Sequence, residues 1–139
     1  MEPHRRLAAV SVAQLTLGIA GLAVALRRRH AFDVPFMRGD PARMIRQSIY
    51  FGTAFSAPAI FLVAQAVAII RLTRGPDPTA TRLLQALGVV YVGGYLAERR
   101  VRRCLTRRLW DPVESPLLVA AIALSVAMGH LGRRRHVIR

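Results

Sequence analysis

The sequence lacks lysine entirely, contains one cysteine and is poor in acidic residues. Its 21 basic residues are all arginine and are accompanied by only 7 acidic ones, which gives a formal net charge of +14. The single cysteine, Cys104, excludes an intramolecular disulfide and a CxxC redox centre. The sequence also contains no HExxH, GxSxG, GxGxxG or P-loop pattern. It therefore carries none of the short motifs typical of metalloproteases, serine hydrolases and nucleotide-binding domains.

The strong positive charge is combined with an apolar fraction of 53%, which is above that of typical soluble domains. The two properties fit together because the arginines occupy the connectors between long apolar runs. A basic surface ordinarily indicates nucleic-acid binding, but these arginines do not line one polar face. The pattern therefore predicts no nucleic-acid binding. It predicts contact with anionic lipid head groups, which attract each nearby basic residue by about 1 kcal/mol.

Four apolar runs divide the chain. Leu7–Leu26 and Ile49–Ile70 contain no charged residue over 20 and 22 positions, and that length crosses a hydrocarbon core of about 30 Å as a helix. The runs Leu83–Ala97 and Leu117–Leu131 have 15 residues each. These two runs need additional residues at their starts if they are to span a membrane.

Asp-Pro dipeptides at positions 40–41, 77–78 and 111–112 supply those starts. Proline suits the first position of a helix, where its missing N–H is not needed. Aspartate suits the N-cap, where its side chain accepts a backbone hydrogen bond and its charge complements the helix dipole. Counted from the proline, the third and fourth helices reach 20 residues. Glu114 falls three residues after Asp111 and predicts a reciprocal capping box.

The predicted fold is all-α: a four-helix transmembrane bundle with up-and-down topology and a basic amphipathic interfacial helix in loop 3, the connection between helices 3 and 4. The whole chain, 1–139, forms a single integral membrane domain. The predicted helices cover residues 4–28, 41–73, 78–103 and 112–132. Pro58 predicts a kink within helix 2 because it removes one backbone hydrogen bond.

The predicted location is the inner membrane of a bacterium, and the exclusive use of arginine is interpreted as the mark of a GC-rich genome. Loops 1 and 3 contain 12 arginines, and the side with the termini and loop 2 contains 9. The positive-inside rule therefore favours both termini outside. The Ala-Val-Ala sequence at 23–25 resembles a signal-peptidase site, but Arg27–Arg29 follow directly and disfavour translocation of the cleaved chain.

The segment RRVRRCLTRRLW at 99–110 is the predicted interfacial helix. Val101, Leu105 and Leu109 recur every four residues and form its apolar face. The expected contacts with anionic lipid are Arg99, Arg100, Arg102, Arg103, Arg107, Arg108 and Trp110. Cys104 has two interpretations: a thiol whose pKa the arginines lower, or an ordinary small apolar residue, which we favour.

Polar residues in the central membrane zone of the predicted spans are few, and none of them is charged. A proton-coupled carrier needs a carboxylate there, whereas helix 1 offers only Ser11, Gln14 and Thr16. On helix 3, one face carries a row of polar residues that lines either a candidate cavity or a hydrogen-bonded seam between helices. That row consists of Gln85, Tyr91, Tyr95 and Glu98.

Two further patterns concern packing and metal binding. Ala121, Ser125 and Gly129 form a ridge of small residues on helix 4, which predicts close approach of a neighbouring helix. The four histidines are not arranged as a haem or metal site. We therefore predict no catalytic residues, no metal and no cofactor.

Three functional classes remain on sequence grounds. The first is a non-catalytic accessory or interaction protein of the inner membrane, which binds a membrane protein partner or forms a homo-oligomer. The second is a membrane enzyme that binds a small molecule or a lipid. The third is a transporter or channel subunit whose pore forms only on oligomerisation. The absence of a reactive cluster favours the first class.

Overall fold

A computed structural model describes residues 2–28, 57–106 and 109–133, together with 33–34, 37–38, 40–43 and 46. Within this part the helices are α1 (Pro3–Arg28), α2 (Ala59–Arg74), α3 (Pro78–Ala97), α4 (Arg99–Cys104) and α5 (Glu114–Arg133). Two antiparallel two-residue strands, β1 (Asp33–Val34) and β2 (Met37–Arg38), and a 3-10 turn at Pro41–Arg43 follow α1. Apart from that strand pair, the regular structure described is helical, which confirms the predicted all-α class.

The four long helices form a ring in which each packs against two neighbours. The packed pairs are α1 with α2, α2 with α3, α3 with α5, and α5 with α1. α1 and α5 run antiparallel, as the contact between Arg28 at the end of α1 and Glu114 at the start of α5 shows. α2 and α3 also run antiparallel, since Arg71 near the end of α2 binds Asp77 at the start of α3. Loop 3 contains α4, so α5 is the fourth helix predicted from the sequence.

Two of these helices, α1 and α5, are long and apolar enough to cross a membrane. The described length of α2 is 16 residues, which is shorter than the ~20 that a bilayer requires. The 20-residue α3 carries Arg82 and Gln85 in its first half. By length and composition, two of the described helices are therefore capable of crossing a membrane.

The Asp-Pro dipeptides begin helical segments, as predicted. The Oδ1 atom of Asp77 accepts the Ala80 N–H at 2.9 Å, with Pro78 at the first position of α3. The Oδ1 atom of Asp40 accepts the Ala42 N–H at 2.9 Å at the start of the 3-10 turn. Aspartate thus satisfies backbone donors that would otherwise have no intrahelical partner.

Asp111 caps α5, but the predicted capping box is wrong. Its Oδ1 accepts the N–H groups of Val113 and Glu114 at 2.8 Å. The reciprocal bond comes from Ser115, whose Oγ accepts the Asp111 N–H at 3.0 Å. Serine takes this role because the Glu114 carboxylate is bound elsewhere, to Arg28.

The predicted kink at Pro58 is also wrong, because α2 begins immediately after this residue. Pro58 is extended, with φ −50° and ψ 139°, and occupies the N-cap position. Its carbonyl accepts the N–H groups of Phe61 and Leu62 at 2.9 and 3.3 Å. A proline at a helix start leaves no intrahelical acceptor unpaired. Most of the predicted helix before residue 57 lies outside the described residues.

The helix predicted over 78–103 is divided at Glu98. This residue is extended, with φ −70° and ψ 119°, and separates α3 from α4. Its N–H donates to the Gly94 carbonyl and closes α3. Its carboxylate accepts the Arg100 N–H at 3.4 Å and caps α4. One residue therefore ends one helix and begins the next.

Contact between α3 and α5 is made by backbone. A Cβ atom added to Gly88 would lie 2.6 Å from the Gly129 nitrogen and 2.7 Å from the Ser125 carbonyl oxygen. Both distances are shorter than any ordinary packing contact. The small-residue ridge predicted on helix 4 is confirmed as the surface on which α3 rests.

Candidate functional site

The centre of the bundle contains a buried set of uncharged polar side chains from three helices. We call Ser11, Gln14, Gln65 and Tyr91 the central polar cluster; all four are buried. Gln65 Nε2 donates to the Ser11 carbonyl at 2.9 Å and to Gln14 Oε1 at 2.8 Å. The Tyr91 hydroxyl donates to Gln65 Oε1 at 2.9 Å. Gln65 thus connects α2 to both α1 and α3.

Both the amide nitrogen and the amide oxygen of Gln65 are hydrogen-bonded in this arrangement. Its amide nitrogen makes two bonds, its carbonyl oxygen accepts one, and Met128 Sδ of α5 lies 3.9 Å from the same nitrogen. The cluster contains no carboxylate, imidazole or guanidinium, and so no acid–base pair. These contacts favour a hydrogen-bonded seam between helices, one of the two interpretations of the polar row on α3.

The four residues of that row have different surroundings. Tyr91 belongs to the central polar cluster, and Tyr95 is buried one turn beyond it. Glu98 is buried at the end of α3, where it caps α4. Gln85 is half-buried and touches α5, since a Cβ atom on Gly132 would lie 2.5 Å from Gln85 Cβ. The row extends about 20 Å along the helix, and a cavity shared by its members remains a prediction.

A second buried polar group, which was not predicted from the sequence, lies at the loop 3 end of the bundle. The Glu114 side chain is 1% exposed. Its Oε1 accepts from Arg28 Nη1 at 2.7 Å, and its Oε2 lies 3.5 Å from Arg100 Nη2. The Cys104 thiol donates to the same Oε2 at 3.6 Å. Asp111 Oδ2 accepts from Arg28 Nη1 at 3.1 Å. We call these five residues the loop 3 ion cluster.

The loop 3 ion cluster holds three elements together. Arg28 belongs to the last turn of α1, Arg100 to α4 and Glu114 to the first turn of α5. The Ser115 hydroxyl adds a bond to the Cys104 carbonyl at 2.8 Å. A buried carboxylate needs such partners because desolvation of an unpaired charge is costly. The signal in the sequence that could have revealed this role is a carboxylate placed shortly before the apolar run Leu117–Leu131.

Charge and burial shift two pKa values in this region. Backbone N–H groups of Glu114 and Val113, together with Arg28, hold the pKa of Asp111 below its usual value. Burial, together with the negative charge of Glu114, raises the pKa of the Cys104 thiol. The raised pKa favours the interpretation of Cys104 as an ordinary buried residue over that of a thiolate activated by arginine. Burial and the nearby carboxylate outweigh Arg100.

The predicted interfacial helix is shorter than expected, and its apolar side faces the protein. α4 ends at Cys104, Val101 and Cys104 are buried, and Leu105 is half-buried. Leu109, which was expected on the same apolar face, is exposed instead. The short helix therefore packs against the bundle through the face that the sequence assigned to lipid.

The residues predicted to contact anionic lipid fall into three groups. Arg99, Arg102 and Arg103 are exposed, as is Trp110. Arg100 is half-buried and paired with Glu114, so part of its side chain is engaged within the bundle and its contact with lipid remains a prediction. Arg107 and Arg108 lie outside the described residues.

Among the residues that the structure describes, no three His, Cys, Asp or Glu side chains are grouped so that they could hold a metal ion. Comparison of the chain with models of protein families, with curated proteins and with solved structures gives no match.

Proposed function

We propose that the protein is a four-span integral membrane protein of a bacterial inner membrane, where it acts as a non-catalytic accessory or interaction subunit. The observation that carries this proposal is the outward orientation of large aliphatic side chains on all four long helices. Ile19, Val63, Val89 and Val126, one from each helix, are 54%, 63%, 64% and 54% exposed. Apolar exposure that encircles a molecule is unfavourable in water and favourable in lipid.

The outer face of α2 supports membrane insertion of that helix despite its short described length. Ile60, Val63, Val67 and Ile70 recur at spacings of three and four, and all are at least half exposed. They form one continuous β-branched stripe along the helix. Arg71 and Arg74 follow in the last turn, where long side chains reach the head groups.

The interior of the bundle supports the same conclusion. Polar side chains lie at its centre, where the central polar cluster joins α1, α2 and α3 by hydrogen bonds. Helices in a bilayer gain little from burying aliphatic groups against each other, so they associate through close packing and interhelical hydrogen bonds. The Gly88–Gly129 contact supplies the close packing.

The non-catalytic role rests on how the buried polar groups are used. Gln65 and Tyr91 bond to each other, and Glu114 is enclosed by Arg28, Arg100 and Cys104. Groups engaged in this way stabilise the bundle and are not available to a substrate. The apolar outer faces offer lateral surfaces to another membrane protein or to a second copy.

The number of spans is tested by labelling single cysteines from one side of the membrane. In a Cys104→Ser background, Thr73→Cys reports the loop 2 end and Arg102→Cys the loop 3 end; both positions are exposed. With four spans and both termini outside, an impermeant maleimide labels only Thr73→Cys in intact cells. Labelling of both positions from one side would refute the four-span arrangement.

The accessory role is tested by native mass spectrometry of protein extracted gently from its own host's membranes. A stoichiometric protein partner or a homo-oligomer is the expected result. A retained small molecule of fixed mass would contradict the proposal and would favour the membrane enzyme.

One observation favours ligand binding as the second candidate function. The Ser11 hydroxyl is fully buried and has no hydrogen-bond partner among the described residues. It lies on the residue whose carbonyl already binds Gln65. If a ligand bonds to this hydroxyl, Ser11→Ala should remove the retained mass and leave the bundle folded.

A further inference from the structure

We propose that an exposed basic surface at the loop 3 end binds the phosphate groups of anionic phospholipids and enriches these lipids beside the protein. The surface consists of Arg27, Arg99, Arg102, Arg103 and Trp110, and we call it the loop 3 surface. The inference rests on the proposed membrane-embedded bundle, and it goes further by naming a lipid class and the residues that select it.

The first argument is that α4 has a fixed orientation. Val101 and Cys104 are buried against the bundle, and Arg100 is held by Glu114. Positions 99, 102 and 103 occupy the remaining side of this six-residue helix, and their side chains are exposed. Three guanidinium groups therefore project from a docked element, which reduces the entropy lost when they bind a phosphate.

The second argument is the charge balance at this end of the bundle. The carboxylates of Asp111 and Glu114 bind Arg28, and that of Glu98 caps α4. Among the side chains that the structure describes, none of Arg27, Arg99, Arg102 and Arg103 forms an ion pair with an acidic residue. These three carboxylates are therefore engaged within the bundle, whereas the outer arginines carry a positive charge that no described ion pair neutralises.

The third argument identifies lipid as the source of the phosphate. Leu109, Trp110 and Val113 are 56%, 54% and 49% exposed beside these arginines. Tryptophan and aliphatic groups next to basic residues suit the boundary between head groups and acyl chains. An acidic soluble partner would leave these apolar groups in water. Arginine also binds phosphate through two parallel hydrogen bonds.

The other end of the bundle provides a matched control. Arg5, Arg6 and Arg74 are exposed there, and they too have no acidic partner among the described residues. They belong to the first turn of α1 and the last turn of α2, and they are far from Trp110. Replacing all three with glutamine removes the same charge as replacing three arginines of the loop 3 surface.

Trp110 is the only tryptophan of the chain, and it reports directly on the lipids beside it. The full-length protein is reconstituted in vesicles of phosphatidylcholine and phosphatidylglycerol. Two sets of vesicles are compared: in one set the phosphatidylcholine carries brominated acyl chains, and in the other set the phosphatidylglycerol does. Brominated chains quench tryptophan fluorescence at short range. The ratio of the two quenching curves gives the preference of the site for the anionic lipid.

The expected preference for phosphatidylglycerol is several-fold at low salt, since each basic residue near the surface contributes about a fivefold factor at most. High salt should weaken it. Replacing Arg99, Arg102 and Arg103 with glutamine should lower the ratio towards 1 and leave only the smaller preference that Arg27 supplies. The Arg5, Arg6 and Arg74 control should retain the wild-type ratio.

The outcomes separate this inference from the proposed function. Equal quenching of the wild type by both brominated lipids would overturn the loop 3 surface and leave membrane embedding intact. A glutamine variant that keeps the wild-type preference would overturn the assignment to these arginines. Release of the protein from vesicles by alkaline carbonate would refute membrane embedding itself. Retained quenching by brominated phosphatidylcholine in the glutamine variant shows that Trp110 still contacts the bilayer, and an unchanged circular dichroism spectrum shows that the variant is still folded.

Discussion

Replacement of Gln65 by leucine tests whether the central polar cluster stabilises the bundle. Leucine has nearly the same volume, so the change removes hydrogen bonds and creates little cavity. It deprives the Tyr91 hydroxyl, Gln14 Oε1 and the Ser11 carbonyl of their shared partner. The Ser11 carbonyl keeps its place in α1, so Tyr91 and Gln14 lose most.

The expected magnitude follows from interhelical hydrogen bonds in membrane proteins, which average about 0.6 kcal/mol and reach about 1.7 kcal/mol. Three such bonds give a loss of about 2 kcal/mol in the free energy of unfolding. That loss lowers the ratio of folded to unfolded protein by about 30-fold. Tyr91→Phe removes one of the three bonds and should cost about 0.6 kcal/mol or somewhat more.

The assay is reversible unfolding in mixed micelles with increasing sodium dodecyl sulfate, followed by circular dichroism. A double-mutant cycle between Gln65→Leu and Tyr91→Phe should show that the two costs are not additive, because each change breaks the same bond. Val63→Leu, on the exposed side of α2, is the control and should change stability little. A Gln65→Leu protein as stable as the control would refute a stabilising role for the cluster.

Four further predictions concern other contacts. Gly88→Ala should lower the free energy of unfolding by about 1–3 kcal/mol, because the new methyl group meets backbone atoms of α5. The control Gly93→Ala places its methyl group in open space and should be neutral or slightly stabilising in the same assay. Glu114→Gln should lower the free energy of unfolding by about 2–3 kcal/mol. This loss is smaller than for a fully buried ion pair because Arg28 and Arg100 are partly hydrated. An unfolding midpoint in sodium dodecyl sulfate that does not change would contradict a stabilising role for the loop 3 ion cluster. The pKa of Asp111 is lowered in the folded protein, so its stabilising effect is present above about pH 4. That effect is lost as pH falls through the lowered pKa, and the stability difference between wild type and Asp111→Asn should shrink over this range. Cys104 should react with maleimide far more slowly at pH 7 than a cysteine at the exposed position 106, since its pKa is raised and it is buried; equal rates would contradict its burial.

The sequence was sufficient to predict those structural features that depend only on residues close together in the chain. Asp77 and Asp111 cap their helices because an aspartate followed by proline satisfies local backbone donors whatever the rest of the chain does. The small residues around Ser125 and Gly129 were recognisable for the same reason, since close helix approach requires them. Such features are determined within one or two helical turns.

Features that depend on distant partners were not predictable. Glu114 binds Arg28, which is 86 residues earlier in the chain. Because of this pairing, Glu114 does not form the predicted capping box with Asp111. The break at Glu98 allows α4 to dock beside Glu114, and a helical periodicity carried through 98 could not show it. Gln65 was overlooked because its role depends on how α2 is rotated toward Gln14 and Tyr91. A lone amide in a run of 22 uncharged residues was the available clue.

The pairing of Arg28 with Glu114 has a consequence for biogenesis. During synthesis the end of α1 emerges long before the start of α5, so Arg28 has neither of its acidic partners until the last long helix is made. In the four-span arrangement proposed above, the two ends meet only if α5 inserts with its first turn on the same side of the membrane as the last turn of α1. A chain that is truncated between α4 and α5, or whose α5 runs in the opposite direction, leaves this guanidinium unpaired and α4 without its contact to Glu114. The contact therefore acts as a check on topology that is completed only when all long helices have been inserted in the correct order.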